Sequence, residues 1–251
     1  MTEARPKICC LSGNMLKIIA AVAMFIDHFG AIFFPRVMIL RAIGRLAFPI
    51  FAYMIAEGCR YTKHKLRYFL TVLLMGLGYT AVYYIYDRKW YFCILVTFAL
   101  SIMMIYALEL FKKELFSADF SVCRAILAAV VFFASGVLTY VLNSFVKIDY
   151  GFYGCLTPVL VSVFLPPRDN AAKFYETVSK LRLELVGLAL GIAALFIAYG
   201  GIRYYAFLTL PLVFLYSGKR GKHKMKYFFY IFYPAHLLAL EGLALLVVLL
   251  R

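Results

Sequence analysis

Charge is scarce in this sequence. Asp, Glu, Lys and Arg make up 16% of its 251 residues, 65% are hydrophobic, and the mean hydropathy is +0.87. A soluble domain of this size is nearer half apolar. The charges cluster between long apolar runs, and no polar stretch remains from which a separate soluble domain could be built. Histidine is scarcer still, with four in the chain, and His64 and His223 lie in basic loops. No H-E-x-x-H or carboxylate–histidine set has ligand spacing, so no metal site is expected. The six cysteines form no C-x-x-C pair and no Cys/His ligand array. They read as small buried hydrophobes, with Cys9–Cys10 beside the first span a palmitoylation candidate. The glycine loop of a P-loop nucleotide site is absent. Residues 1–15 lack the apolar core of a cleavable signal peptide, so the first span is expected to be retained.

What is present is apolar helix. The composition describes an all-α, polytopic membrane helix bundle, a single domain over residues 1–251. Spans are predicted at about 16–34, 39–59, 67–86, 90–111, 124–146, 152–167, 182–200, 203–217 and 226–250. The sixth and eighth are short and suit tilted, re-entrant or broken segments. With the N-terminus cytoplasmic, 19 of the 27 basic residues fall on the inner side and eight on the outer. That asymmetry supports nine transmembrane helices in a multi-pass protein of the inner or plasma membrane. The net charge of +15 is therefore topological. No basic stripe with interleaved stacking aromatics marks a soluble segment, so no nucleic-acid partner is expected. The partner of the many Tyr and Phe residues is the lipid bilayer, and their faces leave homo-oligomerisation open.

Within this apolar background, Leu16 to Gly30 (LKIIAAVAMFIDHFG) stands out. Ionisable groups in hydrocarbon are costly and normally face a partner or a cavity, so Asp27 and His28 need a reason to be there. His28 lies about six residues from the outer end of its span, or roughly 9 Å deep. Arg45 lies at similar depth on the returning helix, across a loop of a few residues. Adjacent residues on a helix do not face each other. The economical arrangement pairs Asp27 with Arg45 or Arg41 and turns His28 to a cavity, because a lone buried charge is very unfavourable. Pro49 cannot donate to the Arg45 carbonyl, so the second span is predicted to kink there. Glu57, near the inner end of that span, suits a pair with Arg60 or Arg67. His236 sits near the inner end of the ninth span, after Pro234 and five residues before Glu241. It reads as a hydrogen-bonding residue of the bundle or a second catalytic histidine. Asp149-Tyr150-Gly151 lies in an outer loop as ordinary turn chemistry or a contact for a substrate.

Leu16 to Gly30, Gly44 to Thr62 (GRLAFPIFAYMIAEGCRYT), Asp149 to Gly154 (DYGFYG), Tyr216 to Gly221 (YSGKRG) and Lys226 to Leu237 (KYFFYIFYPAHL) together resemble the TraX family. The resemblance covers nearly the whole chain in order. That family is named for acetylation of the F-pilin N-terminus. The ten residues between Lys17 and His28 also resemble the Lys/Arg-x10-His signature of integral-membrane acyltransferases of the O-antigen acetylase type. The resemblance implies acyl transfer from acetyl-CoA, or another acyl-CoA, with His28 aligned to the family histidine. It names no acceptor beyond an amine or hydroxyl on a peptide, sugar or small molecule.

The residues suit that chemistry. A neutral imidazole serves as base or as acyl carrier, so His28 fills either part. Asp27 is its electrostatic partner or the pair of Arg45, and Arg45 is the candidate for stabilising an oxyanion. A polyanionic cytosolic donor needs a basic mouth, for which Lys17, Arg60, Lys219, Arg220 and Lys226 are candidates. Glu57, Asp149, Tyr150 and His236 are the candidate contacts for the acceptor. The alternative is a proton-coupled transporter using the buried Asp27/His28 pair. Against it, the ionisable set is concentrated in the first two spans, with no paired repeat in the second half.

Overall fold

The computed structural model describes residues 9–117, 119–166, 181–221 and 225–249. The inner-loop cations Arg5, Lys7, Arg168, Lys173, Lys180, Lys222 and Lys224 lie outside them. The described residues are helical, without strands; two isolated bridges, Leu11 to Tyr216 and Phe92 to Ile148, are the only extended pairing among them. In chain order the helices are α1 (Gly13–Phe33), α2 (Met38–Gly44), α3 (Ala47–Tyr61), α4 (Lys65–Asp87), α5 (Ile94–Leu115), α6 (Val122–Phe145), α7 (Gly151–Phe164) and α8 (Glu184–Tyr199). A 3₁₀ segment over Gly201–Leu208 leads into α9 (Thr209–Phe214), and α10 covers Lys226–Leu249.

Every predicted span corresponds to helix. Five stretches are long and apolar enough to cross a membrane: α1, Met38–Tyr61 (α2 with α3), Lys65–Ile85, α5 and α6. The remaining apolar helices, Gly151–Phe164, Glu184–Tyr199, Gly201–Phe214 and Ile231–Val247, are shorter. The eighth span is indeed broken, since Gly201–Leu208 is 3₁₀ before α9 takes over. The second span departs from expectation. Its interruption falls at Arg45–Leu46, where Arg45 N donates to Ala42 O (3.2 Å) and Leu46 N to Ile43 O (3.1 Å). The chain tightens into three-residue bonds and then restarts. Pro49 becomes the third residue of α3, in the first turn, where a missing N–H leaves no helical bond broken.

The packing divides the chain into two compact units. One is formed by Met1–Met54 with Tyr199–Arg251, the other by Ile55–Ala198, and α3 runs from the first into the second. In the first, α1 packs on both α2 and α10 around Leu16, Ala20, Ile50, Tyr53 and Val213, all fully buried. In the second, α5 packs against α4, α6 and α7. Its core holds Val72, Ala99, Ile102, Val161 and Leu188. The Ser101 hydroxyl is satisfied locally: its Oγ lies 2.9 Å from both Thr97 O and Cys155 O. By contrast, α6 shows Ile126, Leu127, Val130, Phe133 and Val137 outward. An apolar face of this kind suits lipid, where burial against protein gains little hydrophobic energy.

Glycine sets one helix contact in this unit. A Cβ on Gly187 of α8 would run into the Leu160 carbonyl of α7, whose carbon lies 2.8 Å from that position. Backbone cannot yield as a side chain does, so Gly187→Ala is expected to destabilise by about 1–3 kcal/mol. Gly78→Ala in α4, where nothing lies within 4 Å of the new methyl, is the matched control. Thermal melts in detergent should show a lowered transition for Gly187→Ala and an unchanged or raised one for Gly78→Ala.

Candidate functional site

Helix α1 starts at a defined point. Ser12 is its N-cap, and its side chain accepts from Met15 N at 3.3 Å. The next donors, which a helix end leaves without partners, are taken by the loop at 215–221. Gly13 N donates to Lys219 O (2.8 Å) and Asn14 N to Arg220 O (3.0 Å), while Ser217 N donates to Leu11 O (2.8 Å). This staple brings the loop to the start of α1 and leaves the Lys219 and Arg220 side chains exposed. One turn inside α1, Lys17 sits over the Phe229 ring, 5.7 Å from its centroid, and within reach of the Arg220 charge. Three of the expected basic residues therefore gather at one end of α1. Lys226 contributes the first residue of α10.

The other end of α1 carries the carboxylate. A four-residue link, Phe34 to Val37, returns the chain into α2, which packs on α1. Arg45 Nη2 lies 2.9 Å from Asp27 Oδ1 and 3.0 Å from Oδ2. Arg41 Nη1 lies 3.2 Å from both Oδ1 and the Asp27 carbonyl. Both expected partners are thus used at once. Arg45 Nε donates backward to Arg41 O at 3.2 Å, which locks the guanidinium along α2. Turned into this pair, Arg45 acts as a clamp on Asp27 rather than as a donor aimed at an oxyanion. The pair is well shielded, with 13% of the Asp27 and 11% of the Arg45 side chain exposed, whereas Arg41 keeps 30%. Gly44 permits the approach: a Cβ there would land on Asp27 Cβ, Cγ and Oδ1. That requirement is invisible in composition, and only the glycine next to Arg45 hints at it.

His28 points elsewhere. Its Nδ1 lies 3.0 Å from Nε2 of His236 on α10, with ring centroids 5.1 Å apart. His236 was expected near the inner end of its span; this contact puts it at the depth of His28, because α10 passes alongside α1. His236 is buried, and its Nδ1 lies 2.7 Å from Phe232 O one turn back. Its ring stacks on Phe232 at 4.8 Å, with Tyr233 at 5.9 Å and Phe25 at 6.5 Å. Two polar contacts, each on its own face of α1, sit in an apolar setting. One is a charged pair with every partner engaged. The other is a pair of imidazoles.

The remaining candidates belong to the second unit. Arg60 lines a narrow cleft there with Glu109, Lys112 and Ser162, and lies 5.3 Å from the Tyr61 ring. Lys112 is buried, and its ammonium caps the end of α7 by donating to Leu165 O at 3.0 Å and to Ser162 O. Glu57 is 2% exposed. Asp149 and Tyr150 form the turn into α7: Asp149 Oδ1 accepts from Tyr150 N at 3.1 Å, Asp149 O accepts from Thr97 Oγ1 at 2.6 Å, and Tyr150 adopts φ 59°. Their geometry is that of a helix-starting turn. Among the described residues no group of His, Cys, Asp or Glu is arranged to hold a metal ion.

Fold and site together define a polytopic helical membrane protein with a clamped carboxylate and a histidine pair on its first helix. The chain belongs to the TraX family, described as TraX protein, which it matches over residues 12–244. A Dichelobacter nodosus protein named as probable fimbrial assembly protein FimC, serogroup H1, is 24% identical over 246 residues, covering 90% of this chain and 93% of that one. An uncharacterized protein of Rickettsia prowazekii (strain Madrid E) is 35% identical over 69 residues, 28% of this chain and 27% of its own length. No solved structure matches.

The clamp has a measurable signature. Asp27→Ala strands two guanidinium groups in a shielded site and should cost about 3–5 kcal/mol. The double neutral variant Asp27→Asn with Arg45→Gln should recover a large part of that loss. Losses for Asp27→Asn and Arg45→Gln that simply add in the double variant would show that the pair is not coupled.

Proposed function

We propose that this protein is a membrane acyltransferase that moves an acetyl or other acyl group from acyl-CoA to an amine or hydroxyl acceptor. The observation that carries the reading is the division of labour on α1. Asp27 is neutralised by Arg45 and Arg41, which leaves the neighbouring imidazole of His28 free of a carboxylate partner and available for chemistry. Membership in the TraX family supports it.

The proposed reaction uses His28 as base. The acceptor N–H or O–H gives its proton to the imidazole as the heteroatom attacks the thioester carbonyl. The tetrahedral oxyanion collapses, the C–S bond breaks, and the CoA thiolate takes the proton back from His28. In the covalent variant, the imidazole nitrogen carries the acyl group between the two half-reactions. The donor enters from the stapled end of α1, with the N-terminus cytoplasmic and the protein in the inner membrane. There Lys17, Lys219 and Arg220 meet its phosphates. Lys17 and His28 are eleven residues apart, about 16 Å along a helix, which suits the reach of an extended pantetheine arm. Lys226 is a further candidate for the donor's charges. The D. nodosus relative, named for fimbrial assembly, makes a pilus subunit the first acceptor to try.

Purified protein incubated with acetyl-CoA and a trial acceptor should release free CoA thiol, and His28→Ala should release it about a hundred-fold or more slowly. Undiminished release by folded His28→Ala would remove His28 from the chemistry. Failure of the folded protein to bind any acyl-CoA would discard the donor, and Asp27-dependent flux in proteoliposomes would then establish a transporter instead. Lys17→Gln combined with Arg220→Gln should raise the KM for acetyl-CoA about ten-fold or more and leave kcat near wild type, the mark of lost uniform binding.

A further inference from the structure

Given His28 as the reacting group of the acyl transfer proposed above, we propose that His236 is its positioning residue. It fixes the His28 imidazole with the proton on Nδ1 and the lone pair of Nε2 presented to substrate.

The chain of hydrogen bonds has one direction. A carbonyl only accepts, so the 2.7 Å contact between His236 Nδ1 and Phe232 O requires a proton on that Nδ1. A neutral His236 then carries its lone pair on Nε2. The atom 3.0 Å from it, His28 Nδ1, must be the donor. In neutral His28 the second nitrogen, Nε2, is left as the free base. The backbone of α10 thus selects, through two imidazoles, which nitrogen of His28 reacts, and the Met24 carbonyl one turn back on α1 is a second acceptor for the His28 ring. Stacking of His236 on Phe232 at 4.8 Å and 13° keeps that ring from turning over.

A carboxylate plays this part in serine-hydrolase triads, orienting the base and stabilising the imidazolium. Here the carboxylate next door is committed to Arg45 and Arg41. A neutral imidazole does the orienting at far lower burial cost within hydrocarbon. When His28 Nε2 takes the acceptor's proton, its Nδ1–H becomes a charge-assisted donor to His236 Nε2, and that bond strengthens. No proton needs to leave the pair, because it returns from Nε2 to the departing thiolate.

The test reads the tautomer and the rate separately. Protein labelled with 15N-histidine, with His28 assigned by its loss in His28→Ala, should show a protonated Nδ1 and a lone-pair Nε2 on His28. His236→Leu should abolish that single tautomer, and His236→Gln, whose amide oxygen accepts the same bond, should restore it. In CoA-release assays His236→Leu should lower kcat about a hundred-fold with the KM for acetyl-CoA unchanged, and His236→Gln should regain most of that loss. A wild-type His28 with its proton on Nε2 overturns the assignment without any variant. So does a His28 spectrum that His236→Leu leaves unaltered, or a His236→Leu protein of full kcat. Because the tautomer is read without turnover, a wild-type protein that transfers no acyl group would defeat the acyltransferase reading while the spectrum still decides what His236 does.

Discussion

A carboxylate in an apolar helix is tolerable only if opposite charge reaches it, and much of the first unit follows from meeting that condition at Asp27. Arg45 and Arg41 must come from a helix that returns within a few residues. The four-residue link between α1 and α2 delivers them. The two guanidinium groups must then approach the carboxylate closely, and Gly44 removes the one side chain that would stand in the way. The turn at Arg45–Leu46 allows α2 to end where the clamp is made and α3 to begin afresh. A short α2 beside a long α1 is thus the geometric consequence of neutralising one charge.

Helical rotation separates this task from the next. The residue after Asp27 projects from a different face of α1, and that face meets α10. The charged clamp and the imidazole pair are placed side by side without sharing side-chain atoms. The same helix links both to its far end, where the loop carbonyls of Lys219 and Arg220 take up the first backbone donors. Those carbonyls occupy the positive end of the helix dipole, so any anion arriving there is met by the side chains of Lys17, Lys219 and Arg220 rather than by free backbone N–H groups.

The sequence was most informative where a single residue type carried a large energetic demand. Asp27, His28 and the two arginines were identifiable because each is expensive in hydrocarbon, and the brevity of the following loop identified the partner helix. The helical stretches were legible from apolar length alone. What stayed hidden depends on backbone approach. Gly44 looks like any membrane-helix glycine until the carboxylate is seen lying against it. Pro49 drew attention to itself, yet the interruption came three residues before it at an unremarkable Leu46, because a proline in the first turn asks for no rearrangement. His236 was visible as an ionisable residue, but its depth depended on how α10 lies along α1. Neither helix's sequence records that. The staple at the start of α1 joins main-chain atoms, so side-chain identity leaves almost no trace of it beyond the glycines that flank Lys219 and Arg220.

The first unit is discontinuous in the chain, with Ile55–Ala198 inserted between its halves. A growing polypeptide is made in order and folds in pieces as it emerges. Asp27 therefore finds its arginines almost at once, as soon as the second hairpin arm enters the bilayer, and the charged helix is never left exposed to lipid for long. His28 meets its second imidazole much later. The contact between the two imidazoles forms only when α10 arrives, after the whole second unit has been made. A truncated or stalled product would hold the clamp but not the histidine pair. The chain makes its most hazardous residue safe first and completes its histidine pair last.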